Sequence, residues 1–275
     1  MGILNYLEFD DVKSSDFGMY ISGEGTFNAP TRRGEMISIP GRNGGLFMDE
    51  GVFDNIEVTY PAFNYESDLS TFRQKLAGFR NALNAKSGYR KLMDTFHPDE
   101  FRLGIFRDAF EVKPVMYNTA SQFDVAFDCK PQRFLNSGEI SVIFTANGSI
   151  TNPTLFESSP LIKVTGNGTV AIGENGKYRF IVSNNPGTIT IDSEIMEAYL
   201  PAGTLYPWTD ENSEQLTQEL EIGLELIDGT VYPTNMLGYI EFVNSVMPKI
   251  PPGEQPIRMS PTITKLEIIP RWWRL

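Results

Sequence analysis

The sequence predicts a mainly β fold in two domains, residues 1–135 and 136–275, with α+β character in the first domain. Three observations lead to this prediction. Apolar and polar residues alternate over several short segments with the period of two that is typical of β-strands. Only one stretch has the apolar spacing of an amphipathic helix. In the second half, strand-like runs recur about every 8–12 residues with turn residues between them, which is typical of a sandwich or jelly roll.

The first strands are predicted at residues 36–39 and 56–60, where apolar and polar side chains alternate. Asn43-Gly44-Gly45 and Asp49-Glu50-Gly51 lie between them and have the composition of turns, because Asn and Gly adopt positive φ at low cost. We therefore interpret Asp49, Glu50 and Asp54 as solvated carboxylates of a hairpin-like turn. A carboxylate pair or a cation site is the alternative, and the strands on both sides favour the turn.

One helix is predicted over about residues 67–84, with Ser67 or Asp68 as its N-cap. Its apolar residues form a single stripe that we expect to pack on a sheet. They are Leu69, Phe72, Leu76, Phe79 and Leu83. The other faces carry the basic residues Arg73, Lys75 and Arg80.

After the helix, residues 88–135 are predicted to form a hairpin and further strands, with the turn at residues 97–100. In the second half, strands are predicted at residues 161–164, 169–172, 178–182 and 188–191. Residues 201–243 differ from the rest, since they hold eight acidic residues and no Lys or Arg. Within them, residues 215–227 fit either a short helix or an alternating strand.

No catalytic, cofactor-binding or metal site is predicted, and the chain is not expected to be an enzyme. His97 is the only histidine and precedes a proline, so it is interpreted as a turn residue. The single cysteine, Cys129, alternates with apolar residues and is expected in a core strand. Gly166-Asn167-Gly168 is followed by no helix, which a phosphate-binding loop requires. The acidic stretch lacks the spacing of a calcium loop.

Charge and hydropathy exclude several partners. The net charge is −12, with residues 1–135 at −4 and residues 136–275 at −8. A sequence-independent nucleic-acid binder needs a basic surface, so no stable binding to nucleic acid is expected. The sequence has no signal peptide and no apolar run of the length that a membrane span needs, about 18–20 residues. An acidic surface can still face passing DNA, as a wall that repels it.

The C-terminal Arg271-Trp272-Trp273-Arg274 is the one segment with the side chains to hold a sugar, through aromatic stacking and guanidinium contacts. Adjacent residues of a strand face opposite sides. One tryptophan is therefore expected in the core and the other at a domain or subunit contact.

An ordered set of segments along the chain resembles the distal tail protein (Dit) family of long, flexible-tailed phages. In the first half these are residues 39–45, 48–60 and 88–102; in the second half they are residues 152–153, 160–168, 188–194, 248–254 and 266–275. The resemblance implies an N-terminal belt domain, which is a β-sandwich with one helix and a long β-hairpin. It also implies a C-terminal galectin-like β-sandwich.

The resemblance further implies a structural virion protein at the tail tip, assembled in the host cytoplasm. Six copies would close into a hub ring, single or as two rings back to back. The ring would join the tail tube to the tape measure protein, the tail-tip or tail-associated lysin protein and, in some phages, receptor-binding proteins. The alternative function is a carbohydrate-binding module that acts on the host surface through the C-terminal domain.

Two groups of residues are candidates for contacts. A closed ring needs two different complementary patches on each subunit, and the candidates for these are Asp49, Glu50, Asp54, Arg73, Lys75 and Arg80. The stretch 201–243 departs from the family pattern, which crosses this interval in a few residues. We interpret the stretch either as an insertion that contacts a neighbouring tail protein or a receptor-binding protein, or as a family-variable loop with a minor core of its own. The candidates for partner contacts are Trp208, Tyr232, Tyr239 and Trp273.

Overall fold

The computed structural model divides the chain into two compact units, residues 1–134 together with Leu275, and residues 135–274. It describes residues 4–23, 26–85, 87–107, 111–115, 120–185, 187–200, 206–209, 215–218, 240–243 and 246–275. Within these residues the fold is mainly β with one α-helix, as predicted.

The first unit contains ten strands and the helix. They are β1 (Leu7–Phe9), β2 (Val12–Lys13), β3 (Met19–Ile21), β4 (Arg32–Ser38), β5 (Gly45–Phe53), β6 (Ile56–Tyr65), α1 (Leu69–Asn84), β7 (Arg90–Asp94), β8 (Glu100–Ile105), β9 (Lys113–Val115) and β10 (Ala120–Leu135). Seven strands form one sheet in the order β2-β1-β7-β8-β10-β6-β3, and β9 pairs with β10. Strands β4 and β5 pair only with each other.

The predicted helix is confirmed as α1, and its N-cap is Asp68. The Asp68 carboxylate accepts a hydrogen bond from the backbone N–H of Thr71 at 2.9 Å, which satisfies one of the free donors of the first turn. Phe72, Phe79 and Leu83 of the apolar stripe are buried. The Phe79 ring lies 6.4 Å from that of Phe123 on β10, so the stripe packs on the sheet.

Strand β10 supplies the centre of the first core. Its odd-numbered side chains from Phe123 to Cys129 are buried, as the alternation in the sequence predicts. The Phe127 ring lies 5.0 Å from that of Phe9 and 6.0 Å from that of Tyr60. Burial raises the pKa of the Cys129 thiol to about 12, so the thiol stays protonated and is a core residue and not a nucleophile.

The second unit is a sandwich of two five-stranded antiparallel sheets. Their strands are β11 (Val142–Phe144), β12 (Gly148–Asn152), β13 (Leu161–Gly166), β14 (Gly168–Ile172), β15 (Tyr178–Val182), β16 (Thr188–Asp192), β17 (Glu197–Tyr199), β20 (Ile240–Phe242), β21 (Gly253–Met259) and β22 (Ile263–Ile269). The sheet orders are β11-β22-β13-β16-β17 and β12-β21-β14-β15-β20. Inward residues of both sheets form a single apolar core.

Two further strands, β18 (Tyr206–Thr209) and β19 (Gln215–Gln218), pair with each other in the acidic stretch. At residues 215–218 the structure therefore has a strand, which decides between the two alternatives that the sequence left open there. Most of the predicted insertion 201–243 lies outside the described residues.

The C-terminal segment, with strand β23 (Trp273–Arg274), is fixed to the second unit by backbone and side-chain bonds. The N–H of Arg271 donates to the carbonyl of Gly138 at 2.8 Å, and a Cβ on Gly138 would meet the backbone N of Trp272 at 2.3 Å, so this close approach requires glycine. Trp272 is buried in the core, as predicted for one of the two tryptophans. The Arg271 guanidinium donates to both carboxylate oxygens of Asp192, at 2.6 and 2.9 Å.

This bidentate pair predicts an acid-sensitive stability of the second unit. Burial on its own raises the pKa of Asp192, but hydrogen bonds from Arg271 and its charge outweigh burial, and the pKa is lowered. The pair's contribution to the free energy of unfolding is therefore complete above the ordinary aspartate pKa of about 3.9. It is lost as the pH falls through the lowered pKa of Asp192. Asp192→Asn should destabilise the unit by about 1–3 kcal/mol at pH 7 and by progressively less below pH 4.

Urea unfolding followed by tryptophan fluorescence between pH 7 and pH 2 measures this difference. Glu197→Gln is the matched control, since it removes an exposed carboxylate from the neighbouring strand. A stability difference between Asp192→Asn and the parent protein that stays constant down to pH 2 would show that the pair does not contribute in this way.

Candidate assembly surfaces

The hairpin of β4 and β5 forms a two-stranded sheet of its own. The predicted turn at Asp49-Glu50-Gly51 is wrong, because these residues lie inside β5 and the chain reverses at residues 39–44. Asp49 does accept the Gly51 N–H at 2.8 Å, which is a local turn contact. Gly51, with φ of +75°, absorbs the distortion as a bulge, and pairing resumes where Phe53 lies opposite Arg32.

Apolar side chains lie on both faces of this hairpin. Met36 lies opposite Phe47 on one face, and Ile37 lies opposite Leu46 on the other. Met36 is 66% exposed and Leu46 is 50% exposed. A two-stranded hairpin is marginal on its own in water, and exposed apolar clusters are typical of interaction surfaces. Both faces of the hairpin therefore have the properties of interaction surfaces, and their apolar side chains stay exposed in the single chain.

The charged residues of the hairpin are paired with each other. Arg32 contacts Asp49 at 2.5 Å and Arg33 contacts Asp54 at 2.7 Å, all with exposed side chains. The Gly51 N–H and the Arg32 guanidinium lower the pKa of Asp49. Of the three predicted carboxylates, Asp49 and Asp54 are thus neutralised within the hairpin, and Glu50 is exposed on the same strand.

Buried arginines fix the segment that leads into the hairpin. Arg133 of β10 forms a buried ion pair with Glu100 at 2.9 Å and also donates to the carbonyl of Thr26. Arg102 of β8 is buried too and donates to the carbonyl of Asn28 at 3.2 Å. Since β4 begins at Arg32, these bonds hold the root of the hairpin against the sheet of the first unit.

The helix carries the predicted basic positions. The side chains of Arg73 and Arg80 are exposed and form no ion pair with any residue that the structure describes. Lys75 is half-buried and contacts Glu66 at 2.6 Å. No hydrogen bond or ion pair between described residues joins these three cations to Asp49, Glu50 or Asp54. The two groups of candidate residues are therefore not paired with each other within the described part of the subunit.

Of the four predicted partner contacts, Trp273 has described surroundings. Its ring is half-buried, stacks on Phe156 with centroids 4.3 Å apart, and donates its N–H to the carbonyl of Glu157 at 3.0 Å. Leu155, two residues before Glu157, is 88% exposed. Trp208 lies in β18, and Tyr232 and Tyr239 lie outside the described residues.

His97 lies in the turn between β7 and β8, as expected, where its Nδ1 lies 2.9 Å from the carboxylate of Asp94. In the described part of the chain, no three His, Cys, Asp or Glu side chains are grouped so that they could hold a metal ion. None of the described helices is both long enough and apolar enough to cross a membrane.

Sequence reasoning missed the two-faced character of the hairpin and the buried arginines at its root. The hairpin did leave a signal, because Leu46-Phe47-Met48 is a run of three apolar residues and consecutive strand residues face opposite sides. Nothing in the sequence distinguishes Arg102 and Arg133 from surface arginines, since their burial depends on residues more than seventy positions away.

No protein-family model and no curated protein sequence matches this chain. Among solved structures, the chain is similar to the Dit protein (gp 19.1) of SPP1, described as a paradigm of the hub adsorption apparatus in phages that infect Gram-positive bacteria. The match has a TM-score of 0.65 at 12% identity and covers 99% of this chain and 100% of that one.

Two structures of the phage P2 baseplate in its activated conformation also match. The structure with Ca gives a TM-score of 0.51 at 10% identity over 97% of each chain, and the structure with Sr gives 0.52 at 10% identity over 100% of this chain and 99% of that one. The chain therefore has a Dit-like fold over nearly its whole length.

Proposed function

We propose that this chain, which has the fold of a distal tail protein, is a structural hub at the tip of a phage tail. The observation that carries the proposal is the match over 99% of the chain to the Dit protein of SPP1. In this role the protein is a virion component, assembled in the host cytoplasm, and acts through contacts instead of catalysis. Its partners are further copies of itself, the tail tube, the tape measure protein and the tail-tip proteins.

Six copies close into a ring through the first unit. A ring is built from heterologous contacts, in which one patch meets a different patch of the next subunit. The β4–β5 hairpin supplies one patch, because its two apolar faces are exposed and its root is held by buried bonds. A hairpin with two apolar faces suits a position between two neighbouring surfaces.

Charges on the hairpin's apolar faces should break the ring. Leu46→Glu combined with Phe47→Glu places one carboxylate on each face, and burying an unpaired charge in an interface is costly. We expect native mass spectrometry to show hexamers for the parent protein and monomers for this variant at the same concentration. Leu155→Glu, a charge introduced at an exposed apolar residue of the second unit, is the control and should leave the hexamer intact.

The Leu46→Glu/Phe47→Glu variant and the Leu155→Glu variant should unfold at the same temperature as the parent protein when all three are held as monomers. The reason is that the substituted side chains are exposed. If the double variant still forms hexamers, the hairpin is not a ring contact. If the parent is monomeric at every concentration, the isolated chain does not form the ring.

The helix cations supply an electrostatic part of the ring contact. Arg73 and Arg80 lack partners among the described residues, and the chain is acidic overall, so each can meet a carboxylate of the next subunit. Arg73→Glu with Arg80→Glu should raise the concentration needed for hexamers, more strongly at 20 mM than at 500 mM salt, since salt screens exposed charges. Arg258→Glu on the second unit is the charge-matched control. Equal weakening at both salt concentrations would contradict an electrostatic contact.

The lumen of the ring does not bind DNA. Tight binding requires cations that neutralise phosphates, and the chain carries a net charge of −12. Passing DNA is repelled and does not stick. A fluorescence-anisotropy titration that gives micromolar affinity for duplex DNA at physiological salt would contradict this.

The insertion at 201–243 contacts an outer tail protein. The candidate contact residues are Trp208, Tyr232 and Tyr239, together with Trp273 from the C-terminal segment. It combines eight carboxylates with apolar and aromatic residues, a composition that suits an exposed interface. Replacing residues 203–241 by a short Gly-Ser linker removes two of the three residues of the edge strand β20, including the buried Ile240. The other four strands of that sheet pair without β20, so the sandwich should stay folded. We expect an unchanged hexamer and weaker attachment of outer tail proteins in an in vitro assembly assay. Loss of the second unit's cooperative unfolding would show that the segment is core.

A further inference from the structure

We propose that the outer face of the β12-β21-β14-β15-β20 sheet binds a phosphate-bearing saccharide between Arg179 and Arg258. This binding activity is separate from ring assembly, and it gives the second unit a ligand of its own. Its site lies in an open groove of about 530 Å³ on that face.

The strand register places the two arginines on either side of a small residue. Ala171 of β14 lies opposite Arg179 of β15 and opposite Arg258 of β21. Residues directly opposite each other in antiparallel strands share a face, so the three form a row across the sheet. With strands about 4.8 Å apart, the two arginine backbones are roughly 10 Å apart. Because the side chain of Ala171 is small, both guanidinium groups can contact one anionic group placed above it.

These arginines differ from four other cations of the second unit. Lys163, Lys177, Lys265 and Arg271 each form an ion pair with a carboxylate. Arg179 and Arg258 are exposed and form no ion pair with any described residue. No described residue that lines the groove is acidic. Two described carboxylates lie on the same face of the sheet and outside the groove: Glu241 of β20, opposite Ile181, and Glu254 of β21, four residues before Arg258 and opposite Thr151. The groove is therefore a local positive site in an acidic unit.

The polar groups around the arginines present donors. The Asn147 side-chain oxygen accepts the N–H of Met259 at 2.8 Å, which leaves its NH₂ group to donate into the groove. The Ser260 oxygen accepts the N–H of Thr169 at 3.0 Å, so the hydroxyl proton remains for another acceptor. Thr169 and Asn175 also line the groove.

This combination selects the chemistry of the ligand. Two guanidinium groups suit a phosphate, which they bind with charge-assisted hydrogen bonds. The amide and hydroxyl groups beside them suit sugar hydroxyls. Because the groove is an open sheet face, it accommodates one segment of a longer chain as well as a single sugar.

The test uses phosphomannan and neutral mannan as matched polymers, with isothermal titration of the full-length protein. We expect binding to phosphomannan, no binding to neutral mannan, and affinity that falls as salt rises. Arg179→Gln and Arg258→Gln should each weaken binding at least tenfold. Lys163→Gln, which removes one positive charge from the other sheet, should have no effect; Glu267, its partner, keeps Lys265.

Three results would overturn the proposal. They are binding to neutral mannan with equal affinity, no measurable binding to phosphomannan, and unchanged affinity of the two arginine variants. Equal affinity for duplex DNA at the same phosphate concentration would also overturn it, since the face would then recognise phosphate without the sugar. Native mass spectrometry of the same variants separates this proposal from ring assembly, because neither arginine lies in the first unit and the hexamer should persist.

Discussion

The buried guanidinium groups of Arg102 and Arg133 are the interactions on which the first unit's exposed hairpin depends. Burying a charge costs several kcal/mol unless it is paired and hydrogen-bonded. For Arg133 that cost is offset by Glu100 and by the carbonyl of Thr26. Arg102 donates to the carbonyl of Asn28, while its buried Nη1 has no hydrogen-bond partner among the described residues. Burial and the neighbouring Arg133 lower the pKa of Arg102. These bonds hold residues 26–28, which lead into the hairpin, against strands β8 and β10 of the sheet.

The two units bury their apolar residues differently. In the second unit, inward residues of the two sheets pack into a single apolar core. In the first unit, the helix stripe and β10 close a core, but the β4–β5 hairpin stays outside it. The hairpin leaves two apolar faces exposed, and this is the physical basis for proposing that the first unit carries the ring contact.

Sequence periodicity predicted the elements in which one face is buried and the buried side chains recur with a regular period. The helix stripe from Leu69 to Leu83 and the strand at Cys129 both have a period that a single buried face imposes. The turn predicted at Asp49–Gly51 was wrong because its local hydrogen bond is the same in a turn and in a bulge, and only the facing strand decides between them. The positive groove on the second unit was equally hidden, since Arg179 and Arg258 are 79 residues apart and meet only through strand order.

The open hairpin also has a consequence for the fate of the chain before assembly. Each of its strands has one free edge, and free edges with apolar side chains invite uncontrolled strand addition and fibre formation. The bulge at Gly51 interrupts the regular ladder, and the Arg32–Asp49 and Arg33–Asp54 pairs place charges along it. Such features oppose endless stacking while leaving the apolar residues near the tip accessible. If six copies close into a ring as proposed, these features of the hairpin favour growth that stops at a fixed number of subunits over growth into a filament.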